Sequence, residues 1–209
     1  AYKIFGIKFF QNLEGMWSFA IWDNKKKSLI LSRDRFSEKP LYIFKNQRGI
    51  YFGSEIKYLK SLSQKKFKIN KGHLTRYLFQ GYKSLYKYDS TFYEGIQNFP
   101  NAKYAIINKN LKLKYKEYWK LNFKPKKMKF DYAVKQVKSI ILKKFKQKFR
   151  SDVPIAFCLS GGVDSNVIAS TAKKKFNLNI KTFSIIDKKG GFDESKNINK
   201  SVKHLKTSH

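Results

Sequence analysis

The sequence is poor in cysteine, in arginine and in acidic residues. Its one cysteine, Cys158, excludes an internal disulfide framework and a cysteine-built zinc site. No uninterrupted apolar stretch approaches the roughly 18 residues that a membrane helix needs, so a transmembrane span is excluded. The first residues lack the basic-then-apolar layout of a signal peptide, and the chain opens on Ala1 rather than methionine. Only 14 Asp and Glu stand against 46 Lys and Arg in 209 residues, a formal charge of +32. Such a charge suits nucleic acid or an anionic membrane. Yet only 5 of the basic residues are arginine (Arg33, Arg35, Arg48, Arg76, Arg150), the side chain whose planar fork matches bases and phosphates. Isoleucine outnumbers valine 19 to 6, and Phe, Tyr and Asn number 19, 13 and 14, a skew toward residues read from A/T-rich codons. The charge is also evenly spread, with 25 basic against 8 acidic residues in 1–120 and 21 against 6 in 121–209. A solvated lysine-rich surface on a cytoplasmic protein is therefore expected, with no nucleic-acid or membrane partner. At 42% hydrophobic and 17% aromatic, the composition supplies a core and argues against disorder.

Two period-2 hairpins open the chain. Met16–Asp23 and Ser28–Arg33 flank a polar lysine turn, and Leu41–Lys45 and Ile50–Ser54 flank Asn46-Gln47-Arg48-Gly49, where Gly49 is expected at positive φ. Trp17, Trp22 and Trp119 alternate with apolar neighbours and are expected in the core. Helical spacing follows at Ile56, Leu59, Leu62 and at Leu74, Tyr77, Leu78, and a last hairpin spans Lys103–Asn108 and Leu111–Trp119. The polar stretch 123–129, with Pro125, reads as a linker between 1–122 and 130–209. Beyond it Phe130, Val134, Val137, Ile141 and Phe145 mark one helix face, with Asp131 as the expected N-cap. A buried strand over Pro154–Leu159, a loop over Ser160–Ser165, a helix over 166–175, a strand over Ile180–Ile186 and a helix over Asp193–Leu205 complete a βαβ grammar. The fold class is thus α+β followed by α/β with a parallel sheet. His73, His204 and His209 have no ligand-like companions and are expected at the surface. Cys158 reads as a small buried hydrophobe.

The chemistry concentrates in Ser160-Gly161-Gly162-Val163-Asp164-Ser165, where a buried strand gives way to a helix. Two glycines let the backbone approach an anion, the serine hydroxyls add donors, and the helix N-terminus adds partial positive charge. Asp164 would repel a phosphate unless a cation lay between them, which suits it to Mg²⁺. No Gly-Lys-Ser/Thr follows, so this is not a Walker A loop.

SGGVDS resembles the pyrophosphate-binding loop of the ATP pyrophosphatases, which cleave ATP between its α- and β-phosphates and adenylate a carboxyl or carbonyl oxygen. Gly15–Asp23 followed by Ser32–Tyr42 (SRDRFSEKPLY) resembles the later half of a class II glutamine amidotransferase domain, with Ser37 where that pattern has glycine. Phe52-Gly53-Ser54-Glu55-Ile56-Lys57, Thr91–Ile96, Ser151–Pro154, Thr182–Ile185 and Phe192-Asp193-Glu194-Ser195 continue the likeness in order. Together they resemble the glutamine-hydrolysing asparagine synthetases.

That resemblance implies a partial N-terminal-nucleophile (Ntn) hydrolase layer followed by the start of an adenine-nucleotide α-hydrolase-like domain. It implies ATP or pyrophosphate contacts at Leu159, Ser160, Gly161, Gly162, Asp164, Ser165 and Ile185, with Mg²⁺ at Asp164. It carries Asp193 and Glu194 only as helix-start residues near the site. Glutamine, aspartate and ATP are the implied substrates, ATP and Mg²⁺ the cofactors, and a homodimer the assembly admitted. The N-terminal cysteine nucleophile and the glutamine-binding loops of the family precede this region, and its later acidic loop lies beyond it. The chain is therefore expected to be an interior part of a longer protein, with no catalytic nucleophile of its own and no turnover alone. Arg33, Asp34 and Arg35 are expected to form an ion-pair cluster under the Lys39-Pro40 turn, in preference to a glutamine contact. The alternatives are a β-lactam synthetase-like or sugar-amidating relative, a PP-loop tRNA-modifying enzyme, or an inactive pseudo-enzyme.

Overall fold

Alternating side chains build the first half of the chain into strands. Ser18–Asp23 (β1) and Ser28–Arg33 (β2) pair antiparallel, Ser18 opposite Arg33 and Asp23 opposite Ser28. Asp23 closes the turn by accepting the N–H groups of Lys25 and Lys26 at 3.0 Å each. Tyr42–Asn46 (β3) and Gly49–Gly53 (β4) form the second hairpin. Gly49 is not at positive φ, contrary to expectation. The Asn46 Oδ1 instead accepts from the N–H groups of Arg48 and Gly49, at 2.8 and 3.0 Å, and a side-chain acceptor shapes the turn. Ile96–Asn98 (β5) pairs with β3, Lys103–Ile107 (β6) with β2, and Leu113–Glu117 (β7) with β6. The computed structural model describes residues 1–187 and 193–209. Its contacts divide into two units, 1–123 and 124–209.

In the first unit two antiparallel sheets, β1-β2-β6-β7 and β4-β3-β5, each pack on both faces. Successive strand residues point opposite ways. Leu31, Ala105 and Ile107 therefore meet Leu41, Ile43 and Phe99 between the sheets. Ile30 and Tyr104, on the outer face, lie against Phe9 and Phe10 of the N-terminal helical segment, which comprises Tyr2–Phe5 (α1) and the tight turns of Gly6–Asn12. Phe44 and Ile96 pack against Leu59 of Ile56–Ser63 (α2). The order of layers is helix, sheet, sheet, helix.

Several expected core positions are exposed. Leu62 lies six residues past the half-buried Ile56, about 120° round α2 from it, and is exposed. Trp22 stands with Ala20 on the face of edge strand β1 opposite Phe19 and Ile21, and it is 59% exposed. Trp17 and Trp119 are half-buried, against Tyr118 and Phe36 respectively. In Lys71–Gln80 (α3), capped by the Asn70 side chain, Leu78 is exposed and His73 is the buried residue. That corrects its expected surface location: α3 turns His73 onto Phe92 and Ser90. His204 and His209 are exposed.

In the second unit Phe130–Lys148 (α4) begins after Lys129, so Asp131 falls in the first turn and not at the cap. The apolar stripe runs along one face as expected, but Phe130, Val134, Val137 and Ile141 are exposed. Ala156–Cys158 (β8) and Lys181–Phe183 (β9) pair in parallel, with Val163–Ser170 (α5) and the wide turn Thr171–Lys175 between them, and Ser195–Leu205 (α6) follows. Leu159, Ala169, Ala172, Ile180 and Leu205 form the core. Cys158 is exposed, against the expectation of a buried thiol. Strand alternation turns Phe157 and Leu159 inward and leaves Ala156 and Cys158 on the opposite face. Among the described residues no helix is long and apolar enough to cross a membrane.

Candidate functional site

The loop from Leu159 to Ser165 connects the end of β8 to the start of α5. Leu159 is buried; its N–H donates to the Phe183 carbonyl at 2.7 Å and its carbonyl accepts from Ser184 Oγ at 2.5 Å, which ties the loop to β9. The hydroxyls of Ser160 and Ser165 meet at 2.8 Å. Ser165 Oγ accepts from the Ser160 N–H at 3.1 Å, and Ser160 Oγ from the Gly162 N–H at 3.2 Å. The side-chain amide of Asn166 donates to the carbonyls of Ser160 and Gly162 at 3.0 and 2.7 Å. Both serines, expected to face an anion, are here turned into the loop and brace it. Asn166 was not among the residues read from the sequence, although its place directly after SGGVDS in the first turn of α5 is a signal for such bracing.

Gly161 behaves differently. Its N–H donates out of the loop, to Glu194 Oε2 at 3.2 Å. A Cβ at Gly161 would lie 3.0 Å from the Glu194 Cβ and 3.2 Å from that of Asn197, so a side chain here would push the loop off the start of α6. Glu194, carried from the sequence only as a helix-start residue, thus touches the loop itself. Asp193 lies beside it, and Phe192 falls outside the described residues. Asp164 is exposed in the first turn of α5, and Ile185 is 99% exposed two residues beyond β9. Neither takes part in the loop's described hydrogen bonds.

An open cleft of about 420 Å³ runs along Gly161, Gly162, Val163, Asn166, Val167, Ser170 and Thr171, within the size range of small-molecule sites. The α5 N-terminus faces it with partial positive charge. The Gly161 amide holds a carboxylate oxygen of Glu194, and the Asp164 carboxylate stands exposed in the first turn of α5, so the loop carries two oxygen donors of the kind magnesium takes. Among the described residues no group of three or more His, Cys, Asp or Glu could hold a metal by itself.

In the first unit the Arg33-Asp34-Arg35 segment supports backbone where an ion-pair cluster was expected. Arg33 donates to the carbonyls of Lys39, Phe99 and Ser37 at 2.8, 2.9 and 3.1 Å. The fully buried Asp34 carboxylate accepts from the N–H groups of Phe36, Glu38 and Lys39 at 2.9–3.0 Å. Arg35 donates to the Leu13 carbonyl and stacks over Trp119. A four-residue turn offers more backbone groups than a neighbouring charge can satisfy, and these side chains meet them.

A family model described as glutamine amidotransferase domain matches residues 1–119, and one described as asparagine synthase matches 136–209. The chain is 36% identical over 183 residues to asparagine synthetase [glutamine-hydrolyzing] 1 of Bacillus subtilis (strain 168), covering 87% of this chain and 28% of that protein. Amidase chry2 of Gibberella zeae is 31% identical over 173 residues, 80% of this chain and 25% of the amidase. Asparagine synthetase [glutamine-hydrolyzing] 2 of Bacillus subtilis (strain 168) is 30% identical over 199 residues, 88% of this chain and 26% of that protein. The chain spans about a quarter of the length of these curated relatives. Through its first 119 residues, ahead of the asparagine synthase match that holds the SGGVDS loop, the chain belongs to the glutamine amidotransferase domain family.

Proposed function

We propose that the protein is an asparagine synthase that uses glutamine as amide donor and ATP as the activating substrate. The observation that carries this reading is the succession in one chain of an amidotransferase unit and a strand–SGGVDS–helix loop whose Gly161 amide binds a carboxylate. Residues 1–122 would be the later part of an Ntn-type glutaminase layer, 123–129 a linker, and 130–209 the start of an adenine-nucleotide α-hydrolase-like domain. The helix–sheet–sheet–helix order of the first unit and the parallel β8–α5–β9 unit support that assignment.

In the proposed reaction an oxygen of the aspartate β-carboxylate forms a bond to the α-phosphorus of ATP while the α–β bridge breaks and pyrophosphate departs. Ammonia released from glutamine then attacks the β-aspartyl carbonyl, and AMP leaves. The chain's own contribution is positional and electrostatic. The Gly161 and Gly162 amides, the hydroxyls of Ser160 and Ser165 and the α5 N-terminus would hold the departing pyrophosphate. Leu159 and Ile185 would contact the nucleotide at the strand ends. Asp164 would hold Mg²⁺, which supplies neutralising charge to the polyphosphate. Small molecules are the proposed partners, with a homodimer as assembly and the cytoplasm as location.

The test is stoichiometry in the full-length protein. With MgATP, aspartate and glutamine, equal amounts of asparagine, AMP and pyrophosphate are expected; pyrophosphate release that aspartate does not stimulate would refute the reading. A second reading, amidation of a different carboxylate, draws support from the 31% identity to an amidase and would show in the same assay as release stimulated by another acid.

A further inference from the structure

Of the amides of Ser160, Gly161 and Gly162, two are satisfied from within the loop: Ser160 by Ser165 Oγ and Gly162 by Ser160 Oγ. Hydroxyls rotate at little cost, so these two amides can exchange partners when an anion arrives. Gly161 is the exception, because its amide is bonded to a carboxylate that belongs to another element. Glu194 is held there by its own backbone. Its carbonyl accepts the N–H groups of Asn197 and Ile198 at 3.0 Å each, and Ile198 is 1% exposed. The tight approach of Gly161 to the Cβ atoms of Glu194 and Asn197 fixes loop and α6 together.

We infer that Glu194 is a specificity-determining residue: its carboxylate occupies the Gly161 amide as a resident anion and makes the loop select a magnesium-complexed polyphosphate over a bare one. A metal-free phosphate reaching Gly161 meets the Glu194 charge at hydrogen-bond range and the Asp164 charge in the first turn of α5. Both like charges oppose it. A polyphosphate that carries its own divalent cation is screened from both carboxylates. The amide then passes from Glu194 to phosphate without net repulsion. In a chain with 46 basic residues, free anions are drawn to the surface everywhere, and a local negative guard on the loop discriminates where the overall field cannot.

This inference rests on the proposed role of SGGVDS as a pyrophosphate loop, and one titration separates the two. Pyrophosphate binding to the full-length protein is measured by calorimetry with Mg²⁺ and with EDTA, for the wild type, Glu194→Gln and Glu194→Ala. Glu194 is exposed, and a thermal melt of each variant serves as the check that it is folded. Expected is a wild type that binds magnesium pyrophosphate well and metal-free pyrophosphate poorly. Both variants should bind the metal-free form about fivefold or more tightly than wild type, with the magnesium form little changed. If wild type discriminates but the variants gain nothing without Mg²⁺, the inference fails and the loop's role stands. If the variants instead lose affinity for the magnesium form, Glu194 is a metal ligand and the inference fails. If wild type binds neither form, the pyrophosphate-loop reading fails and the inference with it.

Discussion

Ser37 occupies φ 59° in the turn that Asp34 closes, at the position where the amidotransferase pattern has glycine. Left-handed backbone costs a residue with a Cβ, and glycine removes that cost while giving back some of it as unfolded-state entropy. Ser37→Gly relieves a left-handed cost of about 1–2 kcal/mol and adds about 0.5–1 kcal/mol of unfolded-state entropy, so a net stabilisation of about 0.5–1 kcal/mol is expected, read as a higher urea midpoint at unchanged m-value; a lower midpoint would contradict the account. The strain at Ser37 was legible in the sequence because the motif was long and its departure from glycine stood out. Cys158 was not. Pro154–Leu159 is apolar throughout, so nothing in the residue types says which alternate positions face the core, and only the packing of Phe157 and Leu159 answers. The contacts of Asn166 and Glu194 were only partly within reach: the one stands directly after SGGVDS and the other at the start of a helix. Their roles depend on where one amide and one carboxylate end up relative to loop backbone, the second across 33 residues of chain.

At the scale of elements, the strands and helices were largely readable because period 2 and period 3.6 differ sharply in windows such as Ser28–Arg33 and Phe130–Phe145. The faces of α3 were less so. Leu74, Tyr77 and Leu78 suggested its buried stripe, but the turn of the helix places His73 against Phe92, with Nδ1 at 3.1 Å from Ser90 Oγ and 3.2 Å from an Arg76 nitrogen. Burial, and then the Arg76 charge, hold the His73 imidazole below its ordinary range. The unfolded chain consequently takes up this proton at higher pH than the folded one. The stability contributed by neutral His73 is complete above the unfolded value of about 6.5 and is lost as pH falls from there through the lowered folded value. Melting temperature should drop between pH 7.5 and pH 5, and His73→Gln should flatten that drop. His204 and His209 are exposed, so an unflattened profile would place the dependence elsewhere and contradict the assignment.

For the whole molecule, a charge of +32 would by itself have sent the interpretation toward nucleic acid. The order of the motifs leads elsewhere: an amidotransferase unit of two antiparallel sheets, then a parallel unit in which Gly161, Gly162 and the first turn of α5 line a shallow cleft. The layering of the first unit was only half readable, since hairpins can be counted in a sequence while the pairing of β2 with β6 joins residues 72 to 78 positions apart. The position of the loop was more legible than the topology, because SGGVDS stands in six consecutive positions where a short apolar run gives way to a helix. What the proposed function requires of those donors is that aspartate, and not water, attacks the α-phosphorus of ATP. Turnover of aspartate labelled with ¹⁸O in its β-carboxylate by the full-length protein measures this directly. One ¹⁸O is expected in the AMP released, with the pyrophosphate unlabelled. AMP without label, or label in orthophosphate accompanied by ADP, would contradict the account.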